Sequence, residues 1–248
     1  MRPFVLLVAV LVLAAAGCGG SGRPHGVAAA HVTHCAAGSQ RPLGSPHVVL
    51  AAIVRHRTTA YREPARSPIA RFRLLNVNGV PTVFSVLGER VDAGCRATWL
   101  HVELPIRPNG ATGWVRAADV RTAPVHTRIL IDLSERRLRL YRDGRLVLSS
   151  VAAIGSPATP TPVGRYYVNQ RLIPSDPNGP FGPGAVGVSA FSPVLTGWAQ
   201  GGPIGIHGTN QPWSIGHPVS NGCIRLPNPV AKRLFRATLE GTPVIIRP

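Results

Sequence analysis

The residues best suited to covalent chemistry lie close together near the C-terminal end of the chain. Cys223 stands in the sequence Ser-Asn-Gly-Cys-Ile-Arg, residues 220–225, and His207 lies sixteen positions before it. A cysteine attacks a carbonyl carbon when a base takes the thiol proton and backbone amides stabilise the resulting oxyanion. A neutral imidazole can take that proton and later pass it to a leaving amine. The pair therefore predicts acyl transfer, with Cys223 as nucleophile and His207 as base.

The neighbours of this pair supply candidate binding groups. Gly208 and Gly222 let the backbone come close to a substrate, and we expect the amides around Gly222 and Cys223 to bind the oxyanion. Four side chains are further candidates for substrate contact: Thr209, Ser220, Asn221 and Arg225. For the two hydroxyls the alternative is a hydrogen bond within a turn, and for the arginine it is a structural salt bridge.

A second histidine offers alternatives to this assignment. His217, six positions before Cys223, is a rival base, although we interpret it as a solvated loop residue. A zinc site made of both histidines and Cys223 would lack a fourth ligand. We therefore expect no metal and no cofactor, because the energy of a broken peptide bond is retained in a thioester.

The first residues predict export. Arg2 precedes an apolar run over residues 4–16, and the small residues 15–17 (Ala-Ala-Gly) stand directly before Cys18, which is the layout of a secretory signal. The run is too short to span a bilayer, for which about 20 residues are needed. The Ala-Ala-Gly-Cys sequence also resembles a bacterial lipoprotein signal, which implies that residues 1–18 end in a lipidated Cys18. An ordinary secretion signal with an unmodified cysteine is the alternative.

Export makes the cysteine count informative. In an oxidising compartment Cys35 and Cys95 are the natural disulfide pair, closing a loop of about sixty residues. Cys223 then remains as a candidate reactive thiol. A buried, inert thiol is the alternative.

The net charge of +17 does not by itself indicate a nucleic-acid-binding protein. All 27 basic residues except Lys232 are arginine, and they are spread along the chain rather than clustered. We expect no nucleic-acid partner; the charge instead favours anionic lipid head groups and cell-wall polymers.

The N-terminal half predicts a tether followed by a small β domain. Residues 19–47 are rich in Gly, Ala, Ser and Pro without periodicity, which indicates a flexible tether. From residue 48 to residue 122, short apolar segments alternate with turn signals, including one predicted strand over residues 72–77. The stretch from Thr98 to Val120 resembles the end of bacterial SH3-like domains, which implies an SH3-like β-barrel over residues 48–122.

The C-terminal region, residues 126–248, predicts mostly β structure with one helix. Asp143-Gly144 joins two strands and favours a type I′ hairpin turn. Asn228 is predicted to cap a helix that begins at Pro229 and ends before Gly241. Residues 170–202 are dense in Gly and Pro and predict a long loop of the kind that forms lids.

These motifs together resemble the L,D-transpeptidases with a YkuD-type catalytic domain. The resemblance is carried by HGT at residues 207–209, by SNGCIR at residues 220–225, and by residues 129–168, which include the turn TPTPVG. It implies a mainly β protein with a β-sandwich-like catalytic domain, Cys223 as nucleophile, and His207 held by a carbonyl at or near Gly208. The family usually has histidine at the position of Asn221, and asparagine can replace it if the role is to donate a hydrogen bond.

The resemblance implies an exported, lipid-anchored enzyme of the bacterial cell wall, on the outer face of the membrane. Cys223 would attack the third residue of a peptidoglycan tetrapeptide stem, release D-alanine, and pass the acyl group to a second stem as a 3→3 cross-link. With water as the acceptor, the same site would be an L,D-carboxypeptidase. A non-catalytic wall-binding lipoprotein is the remaining alternative, and Asn221 leaves room for it.

Overall fold

Short strands make up about half of residues 34–248, the part of the chain that the computed structural model describes. Among the described residues, two sheets of eight strands, one sheet of two strands and one α-helix belong to one compact unit, so the prediction of a mainly β protein is confirmed. The predicted signal sequence, Cys18 and the tether as far as residue 33 lie outside the described residues. Within residues 34–248, no helix has the length and apolarity needed to cross a membrane.

The first sheet comes from the N-terminal half of the described chain. Its strands are β1 (Gln40–Pro42), β2 (Val49–Val54), β3 (Arg57–Glu63), β4 (Arg66–Arg73), β5 (Val83–Val91), β6 (Ala97–Glu103), β7 (Thr112–Arg116) and β8 (Val120–Val125). They lie in the order β4-β3-β7-β6-β5-β2-β8, and β1 pairs with β5. Alternate residues such as Phe84, Val86, Val102 and Leu104 build a core on one face of this sheet.

Two expectations for the N-terminal half were wrong. Residues 34–47, expected to end the tether, are fixed to the first sheet because β1 pairs with β5 and Cys35 forms a disulfide with Cys95. Backbone pairing and a covalent link thus order a stretch whose composition indicates flexibility. The strand predicted over residues 72–77 also lies elsewhere: β4 ends at Arg73, because a turn closed by the bond from the Gly79 N–H to the Asn76 carbonyl follows it.

The second and third sheets come from the C-terminal half. Their strands are β9 (Thr127–Asp132), β10 (Arg137–Arg142), β11 (Arg145–Val151), β12 (Ile154–Gly155), β13 (Gly164–Leu172), β14 (Ala185–Phe191), β15 (Pro203–His207), β16 (Pro218–Ser220), β17 (Ile224–Arg225) and β18 (Pro243–Arg247). The larger sheet has the order β11-β10-β9-β18-β13-β14-β15-β17, and β12 pairs with β16. The helix α1 (Asn228–Ala237) packs against β14 and β15.

In this half, local sequence signals predict the hairpin turn correctly but misplace the residue that caps the helix. Asp143 and Gly144 have φ of 49° and 78°, as the predicted type I′ turn requires. The helix begins at Asn228 and its cap position is Pro227, so the predicted cap at Asn228 was wrong. The Asn228 side chain instead accepts a hydrogen bond from the backbone N–H of Thr209 at 2.7 Å. The loop predicted over residues 170–202 is interrupted by β14, which pairs with both β13 and β15.

Side-chain bonds join the N-terminal half of the described chain to β13 and β14. The Tyr167 hydroxyl donates to the carbonyl of Val83 at 3.1 Å, and the Ser189 hydroxyl donates to Glu103 at 2.9 Å. The Asn109 amide pairs with both the N–H and the carbonyl of Phe191, at 2.9 Å each. The two halves of the described chain therefore share an ordered polar interface.

Candidate active site

Two adjacent parallel strands place the candidate nucleophile and base on one face of the second sheet. In the pairing of β15 with β17, Ile206 lies beside Ile224 and His207 beside Arg225. Ile206 and Ile224 are buried in the core. Because neighbouring residues of a strand point to opposite faces, His207 and Cys223 project away from the core together.

His207 is held as a neutral base. Its Nδ1 lies 2.6 Å from the carbonyl oxygen of Gly208, which can only accept, so Nδ1 carries the proton and Nε2 is free to take another. The pKa of His207 is lowered to about 4, mainly by burial; the Gly208 carbonyl opposes this shift and the charge of Arg225 contributes to it. The ring of Phe181 packs edge-on against the imidazole, with 5.0 Å between centroids. The imidazole is therefore neutral at pH 7 and shielded on one side.

Cys223 is the free cysteine of the described chain, and it is partly exposed. Burial of the sulfur raises its pKa above the ordinary thiol value, while the backbone of Gly205 and the charge of Arg225 oppose the rise. A thiol with a raised pKa stays protonated at neutral pH and needs a base for attack. The neutral His207, on the neighbouring strand, is the candidate for such a base.

The turn that carries Cys223 is fixed from within. The Ser220 hydroxyl donates to the carbonyl of Cys223 at 2.6 Å and accepts the N–H of Gly222 at 3.2 Å. Gly222 has φ of +102°, a conformation that side-chain-bearing residues rarely adopt. Ser220 is only 1% exposed, so its hydroxyl holds the turn rather than facing a substrate.

Thr209 has a similar internal role. Its hydroxyl accepts the N–H of Gln211 at 3.0 Å, and the residue is buried. The loop after β15 is thus held on one side by this bond and on the other by Asn228. Both candidate hydroxyls therefore follow the alternative interpretation of hydrogen bonds within a turn.

The TPTP turn supports the cysteine turn, which sequence reasoning did not anticipate. The Thr159 hydroxyl donates to the carbonyl of Ser220 at 2.9 Å. The Thr161 hydroxyl donates to the carbonyl of Gly222 at 2.9 Å and accepts the N–H of Gly155 at 2.9 Å. The Gly222 carbonyl and the Cys223 N–H belong to one planar trans peptide, so fixing the carbonyl also fixes the direction of the N–H. The family motif was the available signal, but it did not reveal which atoms these hydroxyls contact.

The remaining candidate residues differ in their exposure and in the contacts that their side chains make. Arg225 donates to the Gln211 side chain at 2.7 Å and has no ion pair within residues 34–248, which leaves its charge available beside Cys223. Asn221 is exposed, with its side-chain oxygen 3.5 Å from the Thr159 hydroxyl. His217 is exposed, away from the buried position of His207. In the described part of the chain, no three His, Cys, Asp or Glu side chains are grouped to hold a metal.

The C-terminal half of this chain is similar to known proteins of a single family. The family model for the YkuD L,D-transpeptidase catalytic domain matches residues 126–246. The YkuD protein of Bacillus licheniformis is 39% identical over 121 residues, which cover 49% of this chain and 66% of that protein. The YkuD protein of Bacillus subtilis is 34% identical over 128 residues, which cover 52% of this chain and 69% of that protein.

Solved structures give a similar match. A crystal structure of an Enterococcus faecium L,D-transpeptidase mutant is 26% identical, with 49% of each chain covered and a TM-score of 0.40. The matched part of this chain therefore spans about two thirds of the two Bacillus proteins and about half of the Enterococcus chain.

Proposed function

Because this chain belongs to the YkuD-type L,D-transpeptidase family, we propose that it forms 3→3 cross-links in peptidoglycan through a thioester on Cys223. The observation that carries this proposal is the pairing of β15 with β17, which presents a neutral, oriented histidine and a partly exposed cysteine residue on one face. The other described cysteines, Cys35 and Cys95, are bonded to each other and cannot act as nucleophiles.

The first half of the reaction forms the thioester. Nε2 of His207 takes the proton of the Cys223 thiol as the sulfur attacks the carbonyl carbon of the third stem residue. The N–H of Cys223, in the peptide that Thr161 orients, donates to the developing oxyanion. The bond to the terminal D-alanine then breaks, and its amine leaves with the proton that His207 holds. Sulfur remains acylated.

The second half uses an amine of another stem. The amine attacks the thioester carbonyl and gives its proton to His207, and the thiolate leaves as the new amide forms. His207 returns the proton to sulfur, which restores the neutral pair. One peptide bond is broken and one is made, so the exchange requires no nucleotide. We infer that Arg225, which pairs with His207 and follows Cys223 by two residues, binds a substrate carboxylate.

Mass spectrometry of a matched pair of proteins tests this function. Residues 34–248, made under oxidising conditions so that the disulfide forms, are incubated with a disaccharide tetrapeptide beside the Cys223→Ala twin. Release of D-alanine with a tripeptide-linked dimer, absent from the twin, supports the transpeptidase. Tripeptide monomer alone assigns an L,D-carboxypeptidase. A folded sample with neither product nor acyl-Cys223 contradicts both and favours the wall-binding lipoprotein.

The same proposal includes a location and a domain arrangement. Cys18 carries the lipid that holds the protein on the outer face of the membrane, and residues 48–122 form an SH3-like domain before a catalytic domain over residues 126–248. The Ala-Ala-Gly-Cys sequence supports the first point, and the separate cores of the two large sheets support the second. Incorporation of a labelled fatty acid into the full chain, but not into its Cys18→Ala variant, tests the anchor; an unlabelled full chain would indicate ordinary secretion.

A further inference from the structure

The face that carries Cys223 continues across the sheet toward the N-terminal half of the chain. Because Ile206 pairs with Ile224 in parallel, Gly205 lies beside Cys223. Gly205 pairs with Gly187 on β14, and Gly187 pairs with Gln170 on β13. A side chain at Gly187 would collide with Gln170, since its Cβ would lie 2.5 Å from the Gln170 Cγ. Gly205 and Gly187 have no side chains, so nothing at these two positions projects from the sheet surface between the sulfur of Cys223 and Gln170 on β13.

A cavity of about 540 Å³ lies at the end of this path, between the two large sheets. Its size falls within the usual range for small-molecule sites, roughly 300–1,000 Å³. Five amide side chains line it: Asn76, Asn78, Asn169, Gln170 and Gln200. The N-terminal half supplies two of them and the second sheet with its loops supplies three. The cavity therefore exists only because the two halves pack together.

Hydrogen bonds hold most of these amides in fixed orientations. Asn76 and Asn78 both donate to the side-chain oxygen of Gln170, at 2.8 and 2.9 Å, and Gln200 donates to Asn78 at 2.8 Å. The side-chain oxygen of Asn169 differs, because it is buried without a hydrogen-bond partner among the described residues. A buried acceptor without a donor is unfavourable, and a donor from a ligand would relieve it.

The remaining lining indicates the chemical class of the ligand. Arg71 and Arg73 contribute positive charge, the rings of Phe72 and Phe191 contribute apolar surface, and none of the described lining residues is acidic. Amides donate to and accept from hydroxyl and acetamido groups. The lining thus matches a polar, uncharged or anionic ligand that has one apolar face. An N-acetylated amino sugar with an attached carboxyl derivative has these properties.

We propose that the cavity binds the amino-sugar end of the donor strand while its stem peptide lies along the path to Cys223. This inference rests on the proposed function. Three strand spacings of about 4.8 Å separate β13 from β17, or roughly 14 Å in all. Three extended stem residues span roughly 10 Å. The carboxyl-bearing group that joins the peptide to the sugar must cover the remaining distance of roughly 4 Å when the third carbonyl is at the sulfur.

Binding measured on the full chain with Cys223→Ala tests this, because that protein binds substrate without turning it over. Calorimetry compares a disaccharide tetrapeptide with the free tetrapeptide. We expect the disaccharide to bind about 10-fold more tightly, a gain of about 1.4 kcal/mol. Adding Asn169→Ala should remove most of that gain and leave the affinity for the free tetrapeptide unchanged. Because the Asn169 oxygen has no partner in the described chain, this variant should fold normally.

Charge variants give a second, independent test. Arg73→Ala should reduce the roughly 10-fold affinity ratio between the two ligands about 3-fold. Arg66→Ala, on the same strand but outside the cavity, should leave this ratio unchanged. Equal affinities for the two ligands, or an equal loss for both in Asn169→Ala, would overturn the sugar site and leave the proposed function intact. No binding of either ligand, together with no turnover by the wild-type enzyme, would instead count against the proposed function.

Discussion

The two candidate catalytic residues are both neutral at rest. Burial lowers the pKa of His207 to about 4 and raises the pKa of Cys223, so the resting pair is thiol and imidazole rather than thiolate and imidazolium. Proton transfer then accompanies attack instead of preceding it. This arrangement protects the thiol from oxidants that react with thiolates.

Replacement of the two candidate bases tests the assignment of His207. His207→Ala should abolish turnover, because the thiol then has no base, whereas His217→Ala should retain most of it because His217 is exposed. The measurement is the rate of D-alanine release from a tetrapeptide. The reverse pattern, with activity lost only in His217→Ala, would overturn the assignment.

Thr161 is a positioning residue whose effect should appear in kcat. Thr161→Val removes the bond that holds the Gly222 carbonyl and leaves the N–H of Gly155 unpaired. We expect kcat to fall about 10- to 100-fold with little change in KM, because the misdirected N–H would bind the oxyanion only in the transition state.

Thr161→Ser provides the matched control for that variant. Serine keeps the hydroxyl and should restore most of kcat. A merely structural role would predict lower stability with unchanged kcat in the folded fraction, so thermal unfolding is measured beside the kinetics.

At the scale of elements, parallel pairing and one covalent link set the geometry. The pairing of β15 with β17 fixes the relative positions of base and nucleophile, and the TPTP turn braces the loop between β16 and β17. In the N-terminal half, the disulfide ties the residues before β1 to the turn that follows β5. These connections replace the flexible tether that composition predicts for residues 34–47.

Removal of the disulfide should lower stability without changing the catalytic chemistry. The bridge joins residues 60 apart, and closing a loop of that size contributes on the order of 4 kcal/mol in the chain-entropy model. The double variant Cys35→Ser, Cys95→Ser should therefore lose about that much free energy of unfolding, measured by denaturant titration. Cys223→Ser, which removes a thiol but no bridge, is the control and should change stability little. An unchanged midpoint in the double variant would contradict the expected contribution.

At the scale of the whole molecule, a buried carboxyl marks the interface between the two halves. Glu103 of β6 accepts a hydrogen bond from Ser189 of β14. Burial raises the pKa of Glu103 to about 7, against the opposing effects of this bond and of the charge of Arg165. The interface is therefore more favourable when Glu103 carries a proton.

The pH dependence of stability should contain two opposing contributions. The pKa of Glu103 rises from 4.5 unfolded to about 7 folded, so its stabilisation is present below pH 4.5 and is lost as pH rises through 7. The pKa of His207 falls from 6.5 to about 4, so its stabilisation is present above pH 6.5 and is lost as pH falls through 4. Each shift corresponds to about 3 kcal/mol, and the two effects largely cancel between pH 4.5 and 6.5.

Single variants should separate these contributions. In Glu103→Gln the free energy of unfolding should rise with pH between about 4 and 6.5, because only the histidine effect remains. In His207→Gln it should fall as pH rises from about 4.5 to 7, because the effect of Glu103 then exceeds the smaller, opposite effect of His101, whose pKa is also lowered by burial. Denaturant titrations at several pH values measure both slopes. Flat profiles in both variants would refute the assigned shifts.

The sequence by itself determined the fold class, the hairpin at Asp143-Gly144 and the pairing of Cys35 with Cys95, as well as the candidate nucleophile and base. These depend on local signals: alternation of apolar residues, turn residues that tolerate positive φ, and short motifs around reactive side chains. The cap predicted at Asn228 failed because a distant backbone N–H, that of Thr209, competes for the same side chain.

Only the tertiary structure decided which groups act together. It brings Thr161 to the Gly222 carbonyl across 61 positions of sequence and turns the Ser220 hydroxyl inward. It also forms the amide-lined cavity from two halves of the chain. Neighbours of this kind are set by strand register and sheet packing, and these depend on contacts between residues far apart in the chain. Local sequence patterns do not predict such contacts, but they do show which residue types are present and what chemistry each can perform.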